Sequence, residues 1–178
     1  MKGRFVALFV AGALASAAYA QSVSERTGVN AALGITPKTE DFIKEAAMSD
    51  MLEIEAAKIA QEKGNADIKK FAAQMIADHT KTSSELEELV PAESKASLPK
   101  ELDSSGQKKI DKLRDIREQA FGPEFYRQQV SAHKEAVDLF ERYAKGGKDP
   151  KLKDWAGRTL HALRRHLEMA EALHNRRK

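Results

Sequence analysis

The sequence predicts an all-α fold, a bundle of four long helices, on three observations. The 178 residues hold few aromatics (6%) and only 10 glycines, while Ala, Leu, Glu and Lys are abundant, a balance that favours helix. Apolar residues recur with helical period through four long stretches. The breaks inside two pairs of those stretches, at Gly64-Asn65 and around Gly147 to Asp149, are so short that each pair must turn back on itself as a hairpin.

Taken in order, the chain opens with an address. Lys2 and Arg4 provide a charged start, Phe5 to Ala17 an apolar run, and Ala18-Tyr19-Ala20 a small-x-small cleavage site before Gln21. We therefore expect a signal peptide at 1–20, cleaved after Ala20, and export to the periplasm. The run is too short to span a bilayer comfortably, and no later stretch approaches that length, so no stable membrane insertion is expected after cleavage. Without an Arg-Arg pair in the leader, general secretion is favoured over twin-arginine export. Residues 21–38 lack sustained periodicity and read as a flexible lead-in.

A single helical-bundle domain then occupies 39–175. Thr36 or Thr39 can cap the first long helix, which Gly64 stops. Asn65 caps the second, which runs to Val90 before Pro91. Residues 91–103, with two prolines, read as a loop. Asp103 or Ser104 caps a shorter helix to about Gln119, and Gly122-Pro123 restarts the chain into the third long helix, which ends at Gly146-Gly147. Asp149 followed by Pro150 opens the fourth, to about Asn175. The segment between the second and third long helices far exceeds what a hairpin needs. A loop plus a short helix can instead travel the length of the bundle, which gives a ferritin-like order with an extra short helix in a long crossover; the alternative is that the short helix packs as a fifth member.

Charge and cysteine content exclude several function classes. Cleavage removes Lys2 and Arg4, taking Lys+Arg from 30 to 28 against 27 Asp+Glu, so the basic balance is largely a leader effect and no nucleic-acid partner is expected. Zero cysteines in an exported chain exclude a disulfide framework, a lipid-anchored N-terminal cysteine and covalent c-type haem. Nucleophile elbows, glycine-rich phosphate loops and zinc-protease helices are all missing from the sequence.

What remains is one out-of-place polar residue in the apolar stripe of each long helix. Glu53 falls inside the arc centred on Phe42, Ala46, Ala57 and Ala60. His79 lies among Ile68, Phe71, Met75, Leu86 and Leu89. His133 lies with Val130, Ala136, Val137 and Phe140, and His166 with Leu152, Trp155, Leu163 and Ala170. Each sits in the middle third of its helix, and within each hairpin the two are offset by about one turn, near 5 Å. The four tips should therefore converge to some 3–6 Å apart, consistent with metal–ligand distances near 2 Å. A buried carboxylate costs several kcal/mol without a partner, and a metal ion is one such partner. Imidazole nitrogen and carboxylate oxygen suit a transition metal ion such as zinc, copper, iron or manganese. Asp50, Thr82 and Gln129, each a turn from one of the four, are candidates to orient these ligands. His161 projects outward and His174 lies at the C-terminal end, so neither joins them. A di-iron centre would need Glu-x-x-His, but Ile76, Val130 and Leu163 occupy the positions three before the histidines. Haem between two histidines would be crowded by the other polar residues. Two other classes fit the same residues: a metal-free interaction or envelope-stress module whose polar core only fixes bundle register, and an oxidase or peroxidase, which would need an open coordination position.

The same residues carry a family resemblance. The run Glu53-Ile-Glu-Ala-Ala-Lys-Ile-Ala60, then Ile68, Phe71-Ala72, Met75 and Asp78-His79-Thr80, resembles the exported bacterial family called domain of unknown function 4142. It continues through Phe121, Val130, His133, Val137 and Leu139-Phe140 to Asp149-Pro-Lys-Leu152, Leu160, Leu163 and His166-Leu167. The resemblance covers roughly 39–173 and implies export and a ferritin-like bundle, with no established activity to carry over. Two positions depart from the family pattern: Gly122 stands where Asp usually follows the Phe, and His161 where Pro usually follows the Leu.

Overall fold

The computed structural model describes residues 28–95 and 97–176. The expected leader and its cleavage site lie outside the described residues. Among those described the fold is an all-α bundle with no strand. A single turn, α1 (Val29–Ala32), precedes two long helices, α2 (Thr39–Lys63) and α3 (Ala66–Leu89). The crossover carries a turn, α4 (Ala92–Lys95), and a helix, α5 (Ser104–Asp115), before α6 (Glu118–Gly146) and α7 (Pro150–Asn175). No helix among the described residues is long and apolar enough to cross a membrane.

The hairpins α2/α3 and α6/α7 pack so that α2 also lies beside α6 and α3 beside α7. Direction follows from the end contacts. Thr39 at the start of α2 hydrogen-bonds the Tyr143 hydroxyl near the end of α6, at 2.9 Å. Trp155 at the start of α7 donates through Nε1 to Glu85 near the end of α3, also at 2.9 Å. All four neighbouring pairs are therefore antiparallel, and α3 and α6 run the same way, joined by a crossover that returns from one end of the bundle to the other. Lys63, at the end of α2, anchors its far end by donating to the carbonyl oxygens of Leu113, Arg114 and Ile116 at 3.1, 2.7 and 2.8 Å. These are carbonyls that the end of α5 leaves without partners inside its own helix.

Caps follow the sequence in part. Asn65 accepts from the Ile68 amide at 3.0 Å, Asp103 from Gly106 at 2.7 Å, and Asp149 from both Lys151 and Leu152 at 2.9 Å. The first helix is different. Its cap residue is Lys38, with no side-chain bond, while Thr39 is already helical and Thr36 turns to the carbonyl of Arg142. The third long helix starts at Glu118, not at Gly122-Pro123, and α5 stops at Asp115 instead of running to Gln119. Pro123 sits inside the helix, where it removes one amide donor. Phe121, Phe125 and Tyr126 are all buried on one face, and that burial holds the helical period through the proline. Gly64 ends α2 without a left-handed turn, at φ −78°. It is glycine because a Cβ there would strike the Ile68 side chain.

The apolar core falls into two clusters. One, at the end holding the α6–α7 turn, gathers Phe42, Phe140, Tyr143, Leu152 and Trp155, with Phe42 stacked on Tyr143 at 3.9 Å between ring centroids. The other, at the α2–α3 turn, gathers Ile68, Phe71, Met75, Leu113, Phe121 and Phe125. Between them lies a polar waist.

Candidate metal centre

Each long helix contributes to the waist one side chain that the amphipathic period forces inward. Glu53 and His79 are 2% exposed, His133 and His166 1%. The three imidazoles form a nearly equilateral triangle, with ring centroids 5.6, 5.5 and 5.4 Å apart. One nitrogen from each lies within 4.8 Å of the other two. A tetrahedral ion with ligands near 2 Å holds its nitrogen atoms about 3.4 Å apart, so shifts of roughly an ångström would close the tripod. The Glu53 carboxylate is not one of that triad, but its charge acts on both His79 and His133.

The other nitrogen of each ring is fixed by the protein. His79 Nδ1 is 2.8 Å from Asp50 Oδ1, His133 Nδ1 is 2.9 Å from the carbonyl of Gln129, and His166 Nε2 is 2.8 Å from Asp78 Oδ2. A carbonyl and an ionised carboxylate can only accept, so the proton of each neutral ring sits on the bonded nitrogen. The inward nitrogens, His79 Nε2, His133 Nε2 and His166 Nδ1, are then bare lone pairs, and they have no hydrogen-bond partner. Both oxygens of Glu53 are likewise without one. Asp50 is itself held, accepting from Thr82 at 2.9 Å and Ser83 at 3.2 Å.

Electrostatics favour the neutral ring at His133 and His166 and the imidazolium at His79. Burial disfavours the imidazolium of His79, but the hydrogen bond and charge of Asp50, with Glu53 and Asp78, outweigh it and raise the pKa. Burial lowers that of His133, with Glu53 opposing and His79 assisting. Burial also pushes His166 down to about 4, against the Asp78 hydrogen bond and with the help of the other two rings. Asp78 feels burial as well, yet Gln74, His166 and Arg165 hold its carboxyl below the ordinary range.

The family model described as Domain of unknown function (DUF4142) matches residues 24–173. The chain belongs to this family. No curated protein and no solved structure matches the chain.

Of the residues this DUF4142 chain was expected to bring together, the three histidines meet, with Glu53 buried beside them. Asp50 orients the His79 ring, while Thr82 donates to Asp50 and to the His79 carbonyl and bonds no ligand ring. Gln129 orients His133 with its main-chain carbonyl, not its amide group. Asp78 was missed as the partner of His166. It sits beside His79 in sequence, about 100° away around the helix and off the stripe, so only the packing of α7 against α3 reveals it. The Asp78-His79 pair was itself legible; the azimuth of the neighbouring helix was not.

Proposed function

We propose that this protein is an exported, periplasmic helical bundle that holds one transition metal ion at its waist, bound by His79, His133 and His166 with Glu53 as the fourth ligand. The observation that carries the reading is chemical. Five buried acceptor atoms, one on each ring and two on Glu53, are all without hydrogen-bond partners. A hydrogen-bonded layer that merely sets register must bring donors to these atoms, and in the neutral tautomers none reaches them. An imidazolium at His79 would add a single donor. A cation answers every lone pair at once. Each ring's other nitrogen is already bonded to an orienting acceptor, as is usual for metal-ligating histidine. Near neutral pH the lowered pKa values of His133 and His166 leave their lone pairs available without displacing protons. Four ligands in a closed core suit a retained ion more than one exposed to large substrates.

Protein purified from its native compartment should carry about one equivalent of a transition metal by elemental analysis. A chelator should lower the melting temperature and added metal restore it. At a free-ion concentration a hundred times Kd, the difference is about 2.7 kcal/mol, or roughly 5–10 °C for a domain of this size. His133→Ala should abolish the response and leave a folded bundle, while the outward His161→Ala should change neither quantity. A melting curve indifferent to chelator and to a panel of divalent metals would retire the site in favour of a register layer.

A further inference from the structure

On the seam between α2 and α6 a groove of about 510 Å³ opens between the start of α5 and the turn at α1. Its lining includes Ser49 and Leu52 from α2 and Ala132 and Ala136 from α6. These residues bracket the proposed ligands in sequence. Leu52 adjoins Glu53, Ser49 is one turn before it, Ala132 adjoins His133, and Ala136 is one turn after it. Three of the four side chains are no larger than serine, while Met48 and Leu139 also line the groove and Glu53 and His133 lie behind its lining, buried. Four carboxylates, Glu45, Asp103, Glu135 and Asp138, line the groove against Lys44, Lys109 and Arg142. That balance offers no basic funnel for an anion.

We propose that this groove is the portal through which a hydrated divalent cation reaches the waist, shedding water as it passes Ser49 and Ala132 to meet Glu53 first. The inference rests on the metal reading above and adds to it a route and an order of ligation. It also assigns α5 and α1 a role, since they wall the groove at either end and leave the seam open between them. Asp138 is tied to Arg142 at 2.8 Å, and Arg142 in turn donates to the carbonyl of Ile35 at 2.7 Å, so one wall of the groove is braced against the segment before α2.

A route is a kinetic property and is tested as one. Stopped-flow loading of the metal-free full chain with Zn²⁺ or Co²⁺, and release into excess chelator, should both slow at least tenfold in Ser49→Trp. Because uptake and release share the path, the equilibrium Kd should stay within about threefold. Leu52→Ala, which thins the wall and does not depend on fitting an indole, should speed both rates severalfold. Gly157→Trp fills the separate α6–α7 surface groove beside Ala144 and should change neither rate. Metal bound with one-to-one stoichiometry at rates that ignore Ser49→Trp and Leu52→Ala would overturn the portal and leave the site standing. A Ser49→Trp chain that has lost its helical signal gives no rate, and Leu52→Ala alone then decides. Failure of the wild-type chain to bind any ion overturns both.

Discussion

Two glutamates are buried among the described residues, Glu53 and Glu124, and their surroundings are opposite. Glu124, on α6, accepts two hydrogen bonds from Arg127, at 3.0 and 2.6 Å, one from Gln128 at 2.9 Å, and pairs with Lys112 at 3.0 Å. Those partners hold its carboxyl down to about 2. Glu53, on α2, is buried more deeply, and neither of its oxygens has a hydrogen-bond partner. The same side chain is thus closed by the protein in one place and left open in another. The difference teaches that this fold can close a buried carboxylate with its own side chains, as it does at Glu124. At Glu124 the chain supplies cations from Arg127 and Lys112. At the waist it supplies three more acceptors, each with its proton turned away.

The largest way to break that comparison is to remove both carboxylates. In metal-free protein, Glu53→Leu should stabilise by about 1–3 kcal/mol, because it deletes two unsatisfied buried acceptors. Glu124→Leu should destabilise, by about 1–2 kcal/mol, the value kept low because Arg127 and Lys112 are half exposed and can turn to water. Chemical denaturation of both variants reads the two signs directly. With metal present, Glu53→Leu should instead lose affinity and with it the metal-dependent part of stability. Equal signs in metal-free protein would mean that the contrast between the two glutamates is only apparent.

Acid sharpens the comparison by separating the two regions in pH. The folded pKa of Glu124, about 2 against an ordinary 4.5, lies low, so its contribution is complete above pH 4.5 and is lost as pH falls towards 2. That of His166, about 4 against 6.5, is also lowered, so its contribution is complete above pH 6.5 and is lost as pH falls towards 4. His79, with a raised pKa, acts in the opposite sense, losing its contribution as pH rises. Melting temperatures of metal-free protein should therefore show two windows. His166→Phe should flatten the one between 6.5 and 4, and Glu124→Gln the one below 4.5. A single shared window in the wild-type chain would refute the separation.

The smallest effect tests how redundant the closed glutamate is. Arg127→Ala should cost no more than about 1 kcal/mol, because the pair is partly solvated and Lys112 and Gln128 remain on Glu124. A loss several times larger, measured by urea denaturation, would mean that Glu124 too depends on one partner.

How far the sequence foretold all this depended on whether one helix or two had to be known. Periodicity within a single helix was enough to turn His79, His133, His166 and Glu53 inward, since four apolar stripes must face one another. It was also enough to place the Asn65 and Asp149 caps. It did not place the start of α6, because Gly122-Pro123 is a strong local break that the burial of Phe121, Phe125 and Tyr126 overrides. Nor could it pair Asp78 with His166, or turn the main chain of Gln129 to His133, because those bonds depend on helix rotation and on which atom of a residue is nearest. Length made a crossover between α3 and α6 possible, but only the end contacts of Thr39 with Tyr143 and Trp155 with Glu85 fix the chain direction.

The layering of the core has a further consequence, for motion. The two apolar clusters lie on opposite sides of the waist, so each end of the bundle holds its own nucleus and the middle is joined chiefly by polar groups. Opening need not be all-or-none in such a molecule; units of unequal stability can part at the layer between them. An ion gripped by all four long helices would act as a rivet through that weakest plane. Amides near Gln129 to His133, which would otherwise exchange through a local breath of the bundle, would then exchange only when the whole bundle opens.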